Sequence, residues 1–212
     1  MIARMRLYLA SGNRHKQREM QQLLASFEIR IPDDDSIMFK PEETGATFAE
    51  NSLIKARALW NFVHEPVIAD DSGLCVTSLG GAPGIYTSRY AGPAYMHGRP
   101  DGVKLTQEEQ NQLLIGQVNA LGTSDRSCHY VCAMVLLLAP DRYFLAQETF
   151  EGELVTSMKD AAGTGGFGYD PIVYLPQYGR TVAEISASEK NAISHRGKAV
   201  RALAAILREL TS

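Results

Sequence analysis

Cysteine is scarce in this sequence, with only three among 212 residues: Cys75, Cys128 and Cys132. An odd count at wide spacing excludes the disulfide framework of a small secreted scaffold. Cys128 and Cys132 flank His129 and Tyr130, but a structural zinc site needs more ligands than this cluster offers. We therefore expect reduced thiols in a cytoplasmic protein.

The chain also has no excess of positive charge. It contains 21 Lys and Arg and 24 Asp and Glu, which gives a formal net charge of -3. Phosphate backbones select basic surfaces, so a nucleic-acid polymer is not an expected partner, although a local basic pocket is still open. Long apolar runs are absent as well. Residues 131–139 are too few to span a bilayer and predict a central strand, and residues 7–10 are too few for a signal peptide. No membrane partner is expected.

What the chain does have is the composition of an ordinary globular protein, with 45% hydrophobic and 21% charged residues. Strand and helix patterns alternate early, whereas residues 126–138 and 143–156 predict two long strands joined by a turn. This order predicts a mixed α/β sheet, since a purely parallel sheet has no such hairpin. No repeat or low-complexity linker separates independent domains.

The strongest chemical signal lies after the apolar run at residues 67–69, where Asp70 and Asp71 stand side by side. A charge at the end of a buried strand is costly unless a cation or a donor compensates it. Adjacent hard oxygens suit Mg²⁺. Ser72 and Gly73 then interrupt the strand pattern, so the alternative interpretation is a polar turn between two strands.

A second candidate site lies near the N-terminus, where the strand at residues 7–10 leads into Ser11-Gly12-Asn13 and then a helix. A turn at a helix N-terminus exposes backbone N–H groups, and the helix dipole adds positive potential. Residues 14–16, Arg-His-Lys, add side-chain charge. The pattern is not a Walker loop. It predicts a phosphate site, the alternative being a capped helix start with a solvated basic face.

Acidic residues also precede the next helix. Thr47 and Glu50 have the spacing of a capping box, so a helix is predicted from residue 48 to residue 63, with Phe62 on its apolar side. This explains Glu50 as a cap but leaves Glu42 and Glu43 without a structural role. They are candidate metal ligands, although exposed loop acids are commoner.

A glycine-rich segment at residues 163–168 matches G-x-G-x-x-G. A dinucleotide site needs a helix after this pattern, whereas Pro171 and a strand pattern follow here. We therefore reject that interpretation. The loop presents Phe167, which could stack on a nucleobase, and Asp170. The alternative is a tight connection with Phe167 in the core.

Basic residues cluster again before the last helix, at Lys190, His195, Arg196 and Lys198. Cations at a helix start predict a second anion site. A solvated basic patch is the alternative, and we prefer it for Lys198. Between these regions, the turn residues 80–84 place Tyr86, Ser88 and Arg89 on a constrained loop, and Arg89 is a further substrate-binding candidate.

Six motifs occur in order: SGNRHK, EETGATFAEN, ADDSGL, GGAPGIYTSRYAG, GTGGFGYDP and SHRGKA. They are spread over nearly the whole chain. In these motifs the chain resembles the inosine/xanthosine triphosphate pyrophosphatases. The resemblance implies an elongated two-lobed mixed sheet with flanking helices, a single domain over residues 1–212 with its active site in the cleft, and a homodimer. It also implies Mg²⁺-dependent hydrolysis of ITP, dITP or XTP to the monophosphate and pyrophosphate.

The same resemblance implies roles for individual residues. Asp71 would be the base, and Glu42 and Asp71 would bind the metal. The remaining residues would contact the nucleoside triphosphate substrate: Ser11, Gly12, Asn13, Arg14, His15, Lys16, Lys55, Ser72, Phe167, Gly168, Tyr169, Asp170, Lys190, His195 and Arg196. The chain departs from the family pattern in residues 93–106, which are longer and richer in Gly and Pro.

Two alternatives are open. One is a Maf-like pyrophosphatase that acts on pyrimidine or modified nucleotides, against which the complete FGYD and SHR motifs argue. The other is a non-catalytic nucleotide-binding module, which would not need the carboxylates Asp71 and Glu42 beside a triphosphate. No Ser-His-Asp set is apparent, so the sequence predicts direct attack of water on the α-phosphorus, without a covalent intermediate.

Overall fold

A computed structural model describes residues 5–211 of the protein, without the side chains of residues 15, 210 and 211. Within this range the strands are β1 (Arg6–Leu9), β2 (Glu28–Arg30), β3 (Val67–Val76), β4 (Ser127–Ala139), β5 (Arg142–Leu154), β6 (Val173–Leu175) and β7 (Arg180–Thr181). The helices are α1 (Arg14–Leu23), α2 (Phe48–Val63), α3 (Gln107–Ala120), α4 (Ala187–Ile193) and α5 (His195–Thr211). None of these helices combines the length and apolar character needed to cross a membrane.

The strands form one sheet in the order β2-β1-β3-β4-β5-β6-β7. β1 pairs in parallel with both neighbours, so that Tyr8 lies opposite Arg30 on β2 and opposite Val67 on β3. At the other edge, β6 pairs antiparallel with β5 and with β7. The predicted mixed α/β sheet is therefore confirmed, and so is the pair of long strands that forms β4 and β5.

β3 differs from its prediction because it runs through residues 70–73 without a break. Asp, Ser and Gly favour turns, but this strand lies between β1 and β4, and most of its residues are buried. Packing in the buried middle of a sheet overrides weak local propensity. The polar-turn alternative is thus wrong, and both carboxylates are held in a central strand.

Helix α2 begins as predicted. Thr47 Oγ1 accepts the backbone N–H of Glu50, and the Glu50 carboxylate accepts the N–H of Thr47. The apolar side was predicted wrongly at its C-terminal end, because Phe62 is exposed. The buried face instead includes Asn51 and Lys55. Two polar side chains on a buried helix face require partners, which β3 provides.

The chain divides into two compact units. Unit 1 comprises residues 1–71, 132–148 and 195–212, and unit 2 comprises residues 72–131 and 149–194. In unit 1 successive β1 side chains enter different clusters, as alternation along a strand requires. Leu9 packs with Met20 of α1 and Leu203 of α5, whereas Tyr8 packs with Leu59 of α2.

Unit 2 has a separate core. It is built from β3 after Asp71, from α3 and from the strands that follow, with Leu74, Val118, Phe150, Tyr169 and Ile172 among its buried members. The cysteines are free thiols, and two of them, Cys128 and Cys132, are buried. The prediction of reduced core thiols is confirmed for those two.

Candidate active site

The turn between β1 and α1 has the predicted strand–turn–helix geometry. Ser11 Oγ accepts the backbone N–H of Asn13 at 3.1 Å, and Asn13 Oδ1 accepts the N–H of Lys16 at 3.3 Å. The first turn of α1 contains no acidic residue. Gly12 and Asn13 are exposed. The N-terminal end of α1 can therefore accept an anion.

The basic residues of this turn point to different partners. Arg14 is exposed and contacts the Asp34 carboxylate at 2.6 Å. Lys16 Nζ lies 2.8 and 2.9 Å from the two carboxylate oxygens of Asp70. The side chain of His15 lies outside the described residues. Lys16 is thus the cation that connects the turn to β3.

Asp70 is a buried anion with two cationic partners. It is 1% exposed and accepts hydrogen bonds from Lys16 and from the Arg196 guanidinium, at 3.3 and 3.4 Å for the latter. Arg196 also contacts Glu19 of α1 at 3.0 Å. Burial alone would raise the pKa of Asp70, but Lys16 and Arg196 hold it well below its usual value. Asp70 therefore stays ionised and ties α1 and α5 to β3.

Asp71 lies in a different environment. Its carboxylate accepts from Lys55 Nζ and from Asn51 Nδ2, both at 3.2 Å. Burial raises the pKa of Asp71 above its usual value; Lys55 opposes the shift, and Glu43 adds to it. Adjacent carboxylates with opposite pKa shifts are typical of sites that divide acid–base roles. Asp71 is the one suited to accept a proton.

Helix α2 positions the partners of Asp71. Asn51 and Lys55 are four residues apart and therefore share one helix face. Asn51 Oδ1 also accepts the Gly45 N–H at 2.8 Å, and a Cβ at Gly45 would come within 2.8 Å of that oxygen. Asn51 was not among the residues predicted from the sequence. Its spacing from Lys55 is the signal that could have found it.

The two acidic residues before α2, Glu42 and Glu43, have different surroundings. Glu43 Oε1 lies 3.2 Å from Lys55 Nζ, the group that also binds Asp71. Glu42 is exposed. Among the side chains that the structure describes, no three from His, Cys, Asp or Glu are close enough to form a metal site by themselves. Mg²⁺ commonly uses one or two carboxylates together with water and phosphate oxygens, and the Asp71–Glu43 pair fits that donor set.

In unit 2 a second cluster surrounds Asp170, which is 2% exposed. Its carboxylate accepts hydrogen bonds from the Tyr130 hydroxyl at 3.0 Å, the Phe167 N–H at 2.8 Å and Lys190 Nζ at 2.5 Å. Lys190 Nζ also lies 4.8 Å from the centroid of the Phe167 ring. Phe167 is 57% exposed, so the alternative that it fills the core is wrong.

Glycine is required inside this loop. Gly166 has a φ of +72°, and a Cβ there would lie 2.0 Å from Asp170 Oδ2. The loop therefore closes directly around the carboxylate. Gly168 also has positive φ, whereas the Tyr169 side chain is buried in the core of unit 2.

The predicted basic cluster before α5 is distributed between the two units. Lys190 binds Asp170 in unit 2, whereas Arg196 binds Asp70 in unit 1. His195, the first residue of α5, is 6% exposed. Ser72 follows Asp71 on β3 and is half-buried.

Arg89 lies in other surroundings. Its guanidinium lies 5.2 Å from the centroid of the Tyr86 ring, and Tyr86 meets His97 edge-on at 4.5 Å. Arg89 also lines a cavity of about 290 Å³ together with Arg99 and Lys104. The structure places Arg89 beside the long segment at residues 93–106.

Comparison with known proteins now adds to this geometry. The family model described as "Ham1 family" matches residues 7–206. This chain belongs to the Ham1 family. The match includes both carboxylates of β3, the loop at residues 163–168 and the start of α5, so both described clusters of this Ham1-family chain lie inside the matched region.

Individual relatives support the assignment to this family. The chain is 46% identical to a dITP/XTP pyrophosphatase of Treponema denticola, over 92% of this chain and 95% of that protein. It is 44% identical to a dITP/XTP pyrophosphatase of Streptomyces coelicolor, over 97% of this chain and 98% of that one. A solved structure of a HAM1 protein from Coxiella burnetii matches with a TM-score of 0.83 and 39% identity, covering 97% of this chain and 99% of that chain. The mixed α/β fold with flanking helices that the resemblance implied is confirmed.

Proposed function

We propose that this Ham1-family protein hydrolyses non-canonical purine nucleoside triphosphates, namely ITP, dITP and XTP, to the monophosphate and pyrophosphate. Two relatives named dITP/XTP pyrophosphatase share 46% and 44% of its residues over nearly the whole chain. The observation that carries the chemistry is the pair of adjacent carboxylates on β3, one held ionised and one with a raised pKa.

Asp71 is the proposed general base. It takes a proton from water, whose oxygen attacks the α-phosphorus. The bond from that phosphorus to the bridging oxygen breaks, and pyrophosphate leaves with the bond's electron pair. A carboxylate whose pKa is raised binds the proton more readily than an ordinary one. Lys55, which donates to Asp71 and whose pKa is raised by Asp71 despite burial, stays protonated and orients that carboxylate.

Asp71, with Glu43 or Glu42, would hold Mg²⁺. When bound, the ion neutralises phosphate charge and stabilises the leaving group. Glu43 is favoured over Glu42 because it shares Lys55 with Asp71. Lys16 and the exposed turn at Gly12 and Asn13 would bind phosphate oxygens through their donors.

For unit 2 we propose binding of the purine base. Phe167 offers an exposed aromatic ring, and any base can stack on such a ring. Lys190 has three N–H donors and no acceptor, and one of them serves Asp170. The remaining donors suit the 6-oxo group of hypoxanthine or xanthine and oppose the 6-amino group of adenine. The contact of His195 and Arg196 with the substrate stays a prediction.

We further propose that residues 1–212 serve this one activity in a cytoplasmic homodimer. Light scattering on the purified protein would test the dimer. A mass close to that of one 23.3 kDa chain would contradict it.

A panel of ITP, dITP, XTP, GTP, ATP and pyrimidine triphosphates, with Mg²⁺, tests the function. We expect pyrophosphate rather than orthophosphate as the product, with ITP and XTP hydrolysed faster than ATP. Preference for a pyrimidine or a modified nucleotide would favour the Maf-like alternative. Binding without any pyrophosphate release would favour a non-catalytic module.

A further inference from the structure

We propose that Tyr130 is a positioning residue for the base-binding cluster: its hydroxyl fixes Asp170, and Asp170 holds Phe167 and Lys190. This inference rests on the function proposed for unit 2. None of the sequence motifs includes Tyr130, which lies on β4, 40 positions before Asp170. Tyr130 is 8% exposed, so it supports the cluster from the interior of unit 2 and is not itself a ligand contact.

The two oxygens of Asp170 have separate partners. Oδ2 accepts from the Phe167 N–H and from Lys190 Nζ. Oδ1 accepts from the Tyr130 hydroxyl. Hydrogen bonds to both oxygens restrict rotation of the carboxylate, and the Tyr130 hydroxyl provides the bond to Oδ1.

The Tyr130 ring is itself held in place. It stacks on Phe150 of β5, with ring centroids 6.5 Å apart and planes inclined by 22°. Burial and the nearby Asp170 raise the pKa of Tyr130 well above its usual value. The hydroxyl therefore keeps its proton and donates across the working pH range.

The loop transmits the position of Asp170 to the exposed ring. A Cβ at Gly166 would lie 2.0 Å from Oδ2, so the loop backbone runs directly beside this oxygen. The next residue is Phe167, whose N–H is bound to the same oxygen. Lys190 follows the oxygen directly through its own hydrogen bond.

Tyr130→Phe is the test variant, because it removes one hydroxyl and keeps the ring. Tyr90→Phe is the matched control. Tyr90 is also in unit 2, is 1% exposed, and donates its hydroxyl to Gln117 Oε1 at 3.1 Å. Each variant loses one tyrosine hydrogen bond, which is buried at Tyr130 and part-buried at Tyr90, and of the two only Tyr130 binds Asp170. All proteins are assayed well below the lowest of their Tm values.

The expected result separates base binding from phosphate binding. In Tyr130→Phe, KM for ITP and Ki for IMP should rise by about tenfold, because Phe167 and Lys190 lose the fixed carboxylate that orders them. The Ki of inorganic tripolyphosphate, a probe without a base, should stay unchanged. Tyr90→Phe should resemble the wild type in all three values. Equal changes in the two variants, or a tripolyphosphate Ki that rises with that of IMP, would overturn the proposal.

Hydrogen exchange provides a readout without activity. Peptides covering residues 163–170 should exchange faster in Tyr130→Phe than in Tyr90→Phe, since the Phe167 amide loses its fixed acceptor. Unchanged exchange there would overturn the positioning role even if the wild type hydrolyses ITP. Faster exchange in a protein that releases no pyrophosphate from any purine triphosphate would instead place the failure with the proposed function.

Discussion

At the scale of single residues, Asp70 and Asp71 lie side by side on β3 but meet different groups, because successive strand residues point to opposite faces. Asp70 meets Lys16 and Arg196. Asp71 meets Lys55 and Asn51. The charge of Asp70 is compensated in the folded state, whereas burial penalises the charge of Asp71. The same substitution at the two positions should therefore have different consequences.

Asp71→Asn should abolish most activity without unfolding the protein. Turnover should fall by at least about 100-fold, as is typical for loss of a general base. The pKa of Asp71 is raised by folding, so its ionised form costs stability above that pKa. Asn removes this cost, and Lys55 keeps Glu43 as a partner. The free energy of unfolding at pH 7 should thus be no lower than in the wild type.

Kinetic assay and urea unfolding of Asp71→Asn at pH 7 and at lower pH provide the check. The stability difference from the wild type should vanish as the pH falls below the unfolded-state pKa of about 3.9. Near-normal turnover in the folded variant would remove Asp71 from the mechanism.

Asp70→Asn should instead destabilise the fold. It removes one of the two carboxylates that Arg196, which is 3% exposed, binds, and breaking a buried ion pair costs about 3–5 kcal/mol. The folded pKa of Asp70 is depressed, so its contribution is present above the unfolded pKa of about 3.9 and is lost as the pH falls below it. Urea unfolding at pH 7 measures the loss. A change of less than about 0.5 kcal/mol, the range of surface substitutions, would contradict this account.

At the scale of secondary structure, α2 connects stability to catalysis because its first two turns carry Asn51 and Lys55. α3 begins with the same kind of capping box, formed by Thr106 and Glu109, but its residues contact neither β3 carboxylate in any hydrogen bond or ion pair described here. The two helices form a matched pair for testing what the cap of α2 contributes.

Thr47→Ala and Thr106→Ala should each lower the free energy of unfolding by about 1 kcal/mol, the usual cost of losing an N-cap. Only Thr47→Ala should also lower kcat/KM for ITP, since fraying of α2 moves Asn51 and Lys55 away from Asp71. Urea unfolding and steady-state kinetics on both variants measure the two effects. Equal activity in the two variants would show that Asp71 does not depend on the start of α2.

At the scale of the whole molecule, the balance of charges raises the question of how an acidic chain binds a polyanion. The ion-pair network around the two β3 carboxylates contains three cations and four carboxylates, namely Lys16, Lys55, Arg196, Glu19, Glu43, Asp70 and Asp71. The network therefore offers no surplus positive charge to a triphosphate, and the chain as a whole is also negative. A divalent cation would supply the missing charge.

Chelation should accordingly abolish pyrophosphate release. With EDTA in excess we expect no hydrolysis of ITP and weaker binding of the triphosphate, while IMP binding changes little. Added Mg²⁺ should restore both activity and triphosphate binding. Isothermal titration of ITP and IMP with and without Mg²⁺ measures this directly. Full activity in EDTA would mean that the cations of the chain suffice.

The sequence by itself determined the elements whose signals are local. The capping box at Thr47, the turn between β1 and α1 and the two long strands β4 and β5 follow from patterns within a few residues. The glycine loop at residues 163–168 was also recognised, because Pro171 excluded the dinucleotide interpretation. Such features depend on backbone propensity and side-chain spacing, which the order of residues fixes.

Only the tertiary structure decided the course of β3 and the partners of its carboxylates. Local propensity favours a break after Asp71, but the strand stays continuous in the middle of the sheet, where most of its residues are buried. Arg196 reaches Asp70 from 126 positions away, and Tyr130 reaches Asp170 from 40 positions away. Contacts over such separations depend on packing of the whole chain, and packing also determines which of two adjacent carboxylates keeps its charge and which is able to take a proton.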